Sequence, residues 1–160
     1  MAVRSFDPKA TPEAQLRFFI EMFDPNEQKL IRAVRSAVRK RLPTASELVY
    51  DYKTFFVIAY SPTEQPPDAI LATAARKDGV RLYLMQGPRL PDPKKLLMGS
   101  GKQVRFVRLE TARRLAHPDV EALVAAAIDH ARVPLPSKGR GELVIRTFGA
   151  KKGPRRKAAK

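Results

Sequence analysis

Cysteine and tryptophan are both absent from this chain of 160 residues. Without a thiol there is no disulfide, iron–sulfur cluster, thiolate zinc site or cysteine nucleophile to consider. Histidine is scarce, with only His117 and His130, and their spacing fits no helical pair of metal ligands. Long apolar runs are also missing. The longest, FFVIAY and ALVAAAI, fall far short of the roughly 20 residues a membrane span needs, and MAVRSFDPKATPEAQLRFFI holds neither an apolar h-region nor a small-residue cleavage site. These absences predict a cytoplasmic protein that does not span a membrane.

Acidic residues are outnumbered, 16 Asp+Glu against 31 Lys+Arg, for a formal charge of +15. The surplus favours acidic partners such as nucleic acid, polyphosphate or anionic headgroups. Six of the cations, Lys151, Lys152, Arg155, Arg156, Lys157 and Lys160, crowd the stretch GAKKGPRRKAAK, which has no acid. Removing those six leaves 25 basic against 16 acidic residues, so the rest of the chain is basic as well. A hydrophobic fraction of 44% is ordinary for a folded domain. The expected organisation is one domain over residues 1–148, followed by a disordered basic arm at 149–160.

Helical signals open the chain. In TPEAQLRFFIEMF, Thr11 suits an N-cap and Pro12 the first helical position, with Leu16, Phe19, Ile20 and Phe23 on one face. In DPNEQKLIRAVRSAVRKRL, Asp24, Pro25 and Glu27 mark a second start, and Leu30, Ile31, Val34, Ala37, Val38 and Leu42 form the apolar stripe. ELVYDY, FFVIAYS, DAILATAARK, VRLYLMQ and KQVRFVRLE read as strands, with Asp78-Gly79 supplying the positive-φ positions of a tight hairpin. HPDVEALVAAAIDHAR is a further helix, and ELVIRTF a last strand. The pattern predicts an α+β fold: two N-terminal helices and a C-terminal helix packed on a mainly antiparallel sheet of about five strands.

Several stretches are candidates for chemistry. LLMGSGKQVR resembles a phosphate loop, but Leu96 and Gln103 stand where a Walker A motif needs Gly and Ser or Thr, and the segment enters a strand instead of a helix. It is either a plain turn or a backbone nest in which Ser100, Lys102 and Arg105 meet a generic anion. On the second helix Lys29, Arg32, Arg35, Ser36, Arg39 and Lys40 crowd the polar face, which serves either as a solvated surface or as a track for phosphates. The arm, with Lys151, Lys152, Arg155 and Arg156, has the same two readings. Tyr50, Tyr52, Phe55 and Phe56 read either as core or as base-stacking residues on an open sheet face. Glu47 and Asp51 share strand parity, so a hard cation between them is an alternative. No serine lies in a GxSxG context, no set of acid, base and nucleophile defines a reaction, and no cofactor motif is present. If helix 25–41, the GSGK loop and the root of the arm share one face, the anion reading gains most; if they are scattered, the charge reads as general solubility.

The runs LVYDYKTFFVIAYSPTEQPPDAI, LPDPKKLLMGSGKQVRFVRL and HPDVEALVAAAIDHA, from about Pro25 to Phe148, resemble the YdhG-like family of bacterial proteins, domain of unknown function 1801. The resemblance implies a small α+β domain similar in outline to frataxin, some relatives having been described as iron chaperones. It also implies the alternative of an intracellular iron-binding protein. Against that stands the charge, since Glu13, Glu21, Asp24 and Glu27 are the only acids of the early helices.

Overall fold

The computed structural model describes residues 6–146. Its elements run α1 (Pro12–Ile20), α2 (Pro25–Arg41), β1 (Ser46–Asp51), β2 (Phe56–Ser61), β3 (Leu71–Arg76), β4 (Gly79–Leu84), β5 (Arg105–Leu109), α3 (Pro118–Asp129) and β6 (Leu143–Ile145). The helix starts lie where their caps place them. Thr11 Oγ1 accepts from the Ala14 N–H at 3.2 Å, and the Asp24 N–H donates to Glu27 Oε1 at 3.3 Å, closing free groups at the starts of α1 and α2. His117 caps α3, its Nδ1 accepting from the Asp119 N–H.

The sheet has six strands in the order β5-β4-β3-β2-β1-β6. Neighbours from β1 to β5 pair antiparallel, whereas β6 adds to the free edge of β1 in parallel. The count agrees with the expected sheet of about five strands, the sixth being ELVIRTF, which α3 and the linker after it carry back across to the β1 edge. A side chain at Gly141 would overlap the Ala45 carbonyl, so only glycine lets the linker come this close. The Glu142 N–H then donates to Ser46 Oγ, and the Glu47 N–H to the Glu142 carbonyl.

The β3–β4 turn differs in detail from the sequence reading. Arg76 pairs with Gly79, so Lys77 and Asp78 form the two-residue loop, and of the expected Asp78-Gly79 pair only Gly79 has a positive φ, +125°. KQVRFVRLE pairs only from Arg105 onward. The segment before it is held by Asp92, whose carboxylate accepts from the Leu96 and Leu97 N–H groups at 2.8 and 2.9 Å.

Period-two alternation sends the two halves of each strand to opposite sides. Val49, Phe56, Ile58, Leu71, Leu82, Leu84, Val107 and Leu109 face the helices, where they join Leu16, Phe19, Ile31, Val34, Val38, Leu123 and Val124 in the main core. Arg41 makes a two-pronged bond to Glu121 (2.8 to 3.1 Å), tying α2 to α3. The other side of the sheet carries a second cluster, Leu48, Ala59 and Ala72 with Tyr50, Val57, Tyr83, Met85 and Val144 around them, to which no helix contributes among the described residues. No helix there is long and apolar enough to cross a membrane.

Candidate anion-binding cleft

A cleft of about 1010 Å³ opens between α1, α2 and the linker 139–143, at the β1–β6 end of the sheet. Its walls bring together Arg17, Arg32, Arg35, Arg39, Lys40 and Arg140 against three acids, Glu13, Glu47 and Glu142. Helical spacing accounts for much of this. Arg32, Arg35 and Arg39 stand three and four residues apart, on one ridge of α2 beside the apolar stripe that binds it to the sheet.

Glu47 lies at the floor of the cleft and is only 5% exposed. A buried carboxylate is costly unless it is paired and hydrogen-bonded. Here Arg35 grips it with two prongs, Nε to Oε2 at 2.9 Å and Nη2 to Oε1 at 2.7 Å, while the fully buried Tyr60 hydroxyl donates to Oε2 at 3.0 Å. Arg39 Nε stands 3.8 Å from Oε1. The outer edge of the Arg35 guanidinium reaches Glu13 at 3.1 and 3.2 Å. Burial opposes the Arg35 charge, but the bonds from Glu47 and Glu13 outweigh it and raise its pKa. The Arg35 bond likewise holds Glu13 below the ordinary carboxylate value. Burial, followed by the charge of Glu47, pushes Tyr60 well up, so the phenol stays a donor.

This network separates two roles on one helix face. Arg35 is engaged by two carboxylates and serves as the frame of the cleft. Arg17, Arg32, Lys40 and Arg140 form no ion pair among the described residues, and all four are exposed at the rim. Among the described residues Arg32 donates only to Gln28 Oε1, at 3.1 Å. Arg39 is 44% exposed and stands 3.8 Å from Glu47, so its guanidinium is also open to the cleft. Sequence reasoning marked Arg32, Arg35, Arg39 and Lys40 but missed Arg17, Arg140 and the pairing of Glu13 with Arg35. Those three depend on contacts between segments that no local pattern announces.

The other candidates lie elsewhere. Ser100, Lys102 and Arg105 sit beside β5, at the opposite edge of the sheet, five inter-strand gaps or about 24 Å from β6. Arg105 Nε donates to the Gly101 carbonyl at 2.9 Å and so closes its own loop, while Ser100 and Lys102 are exposed. The α2 and GSGK patches are therefore separate surfaces, so the positive charge does not gather on one face, and among these candidates an anion site is confined to the α2 cleft or the loop alone. Lys151, Lys152, Arg155 and Arg156 lie outside the described residues. Glu47 and Asp51 do share the helix-facing side of β1, but they stand four residues, or about 13 Å, apart along the strand. Glu47 is held by Arg35, and Asp51 Oδ1 accepts from the Lys53 N–H. Among the described residues, no three His, Asp or Glu side chains gather where they could hold a metal ion.

No family model, curated protein or solved structure matches the chain. The functional reading therefore rests on the cleft itself.

Proposed function

We propose that this domain is a non-catalytic binding module for an anionic partner, a nucleic acid or another phosphate-bearing ligand, received by the α2 cleft. The supporting observation is the surplus of cations in its walls, six against three acids: Arg17, Arg32, Arg39, Lys40 and Arg140 stand exposed at the rim, while Arg35 is held between Glu47 on the floor and the more exposed Glu13. Guanidinium groups favour this use because each presents a planar fork of donors matched to phosphate oxygens. The rim is open and its donors are long side chains, so the module reads phosphates and not base edges.

The test is anisotropy of a labelled mixed-sequence nucleic acid with the full chain at low salt, wild type against Arg32→Gln/Arg39→Gln/Arg140→Gln. The triple variant should bind about tenfold or more weakly, because each lost phosphate contact removes released counterions. Equal affinities would remove the cleft from the account.

A further inference from the structure

We infer that the helix-free face of the sheet is a platform for single-stranded nucleic acid, whose bases stack on the wall formed by Tyr83 and Phe106 while its phosphates lie along Arg76, Arg81 and Arg108. This rests on the reading that the anionic partner is a nucleic acid, and it adds a surface distinct from the α2 cleft.

Strand register builds the surface. Leu48, Ala59, Ala72, Tyr83 and Phe106 follow one another across β1 to β5 on this side, and the next row is Tyr50, Val57, Ala74, Arg81 and Arg108. The middle strands contribute small, buried residues and the β4–β5 end contributes rings, so the accessible part of the face is the aromatic wall at that end. Tyr83 and Phe106 lie 5.4 Å apart, and both are half-buried.

The arginines are arranged against ordinary sheet preference. Arg81 and Arg108 are directly opposed cross-strand partners, a like-charge pairing that destabilises a sheet. A single carboxylate, Asp78, serves Arg76, Arg81 and Arg108 at 3.9, 3.4 and 4.0 Å, so three cations share one anion. Two of the guanidiniums lie over rings: Arg81 is 4.6 Å from the Phe106 centroid and Arg76 is 4.5 Å from that of Phe55. Interleaved rings and guanidinium planes are the surfaces on which unpaired bases stack, and positive charge beside them follows the backbone.

Charge also decides the occupant. A second copy would press one net-positive face against another, whereas a polyanion satisfies the cations that Asp78 leaves unmatched. A duplex hides its base faces, so the rings discriminate in favour of single strands.

The test uses the full chain and a fluorescein-labelled thymidine strand of about 12 nucleotides, within the range such platforms engage. Tyr83→Leu and Phe106→Leu keep apolar volume, and circular dichroism melts check folding; the exposed Arg108→Gln is a second probe that leaves the wall intact. Each ring variant should weaken single-strand binding roughly five- to 150-fold, as expected for a lost stacking partner, with little change for a duplex of equal length. Arg108→Gln should flatten the salt dependence by about 0.7, the single-strand value per contact. Three results overturn the inference. If only the cleft variants weaken single-strand binding, the cleft stands and this platform falls. If neither single strand nor duplex binds at low salt, both proposals fall. If sedimentation shows a dimer that Tyr83→Leu dissociates, the face is a self-interface instead.

Discussion

Arg35→Met is the most informative single change to the frame of the cleft. Arg35 and Glu47 have side-chain exposures of only 14% and 6%, so their ion pair is largely shielded from water. Removing the guanidinium leaves the Glu47 carboxylate with the Tyr60 hydroxyl and the loose contact to Arg39, and an uncompensated buried charge costs about 3–5 kcal/mol. For a domain of this size each kcal/mol lowers Tm by about 2–4 °C, so the melt should fall by about 6–20 °C. Arg39→Met removes a 3.8 Å contact from a half-exposed side chain and should cost no more than about 1 kcal/mol. Arg35→Met/Glu47→Gln should then recover most of the loss, because the amide that replaces the carboxylate is neutral and its oxygen still accepts from Tyr60. Circular dichroism melts and urea titrations of the four proteins suffice. If Arg35→Met behaves like Arg39→Met, or if the double variant is no better than Arg35→Met alone, Arg35 is not the frame of the cleft.

Other outcomes follow from the same geometry. Gly141→Ala should destabilise by about 2–4 kcal/mol in urea titrations, because a Cβ there collides with the Ala45 backbone on which β6 docks. Thr11→Ala should cost about 1 kcal/mol in the same assay through loss of the α1 cap. The Glu13 carboxylate is held below its ordinary value of 4.5, so its ionised form stabilises the fold at neutral pH, and that contribution fades as pH falls through the lowered value. Glu13→Gln should accordingly flatten the acid side of a plot of Tm against pH and leave the alkaline side unchanged.

Much of the architecture was legible because it is local. Thr11, Asp24 and Glu27 announced helix starts through their own side chains, and the stripes at Leu16–Phe19–Ile20 and Ile31–Val34–Val38 gave the buried faces. The parallel docking of β6 was not legible, since it depends on Gly141 meeting Ala45 almost a hundred residues earlier in the chain. The cleft was half visible: the basic ridge of α2 is periodic, but the division of labour between Arg35 and its neighbours is set by Glu13 on α1 and Glu47 on β1. The aromatic quartet illustrates both limits. Phe56 turned to the core at 2% exposure, while Tyr50 lies on the helix-free side of β1 and Tyr52 and Phe55 stack in the hairpin at 4.9 Å. Strand parity separates Phe56 from Phe55, but which face the helices would cover is a tertiary fact.

The salt dependence of nucleic-acid binding by the full chain, measured between about 50 and 200 mM and compared with Arg32→Gln/Arg39→Gln/Arg140→Gln, addresses the central claim most directly. A cleft that contacts phosphates through these three side chains predicts linear plots of log affinity against log salt, with the variant shallower by about 2 to 3. Parallel plots, or no binding by the wild type at the lowest salt, would contradict it.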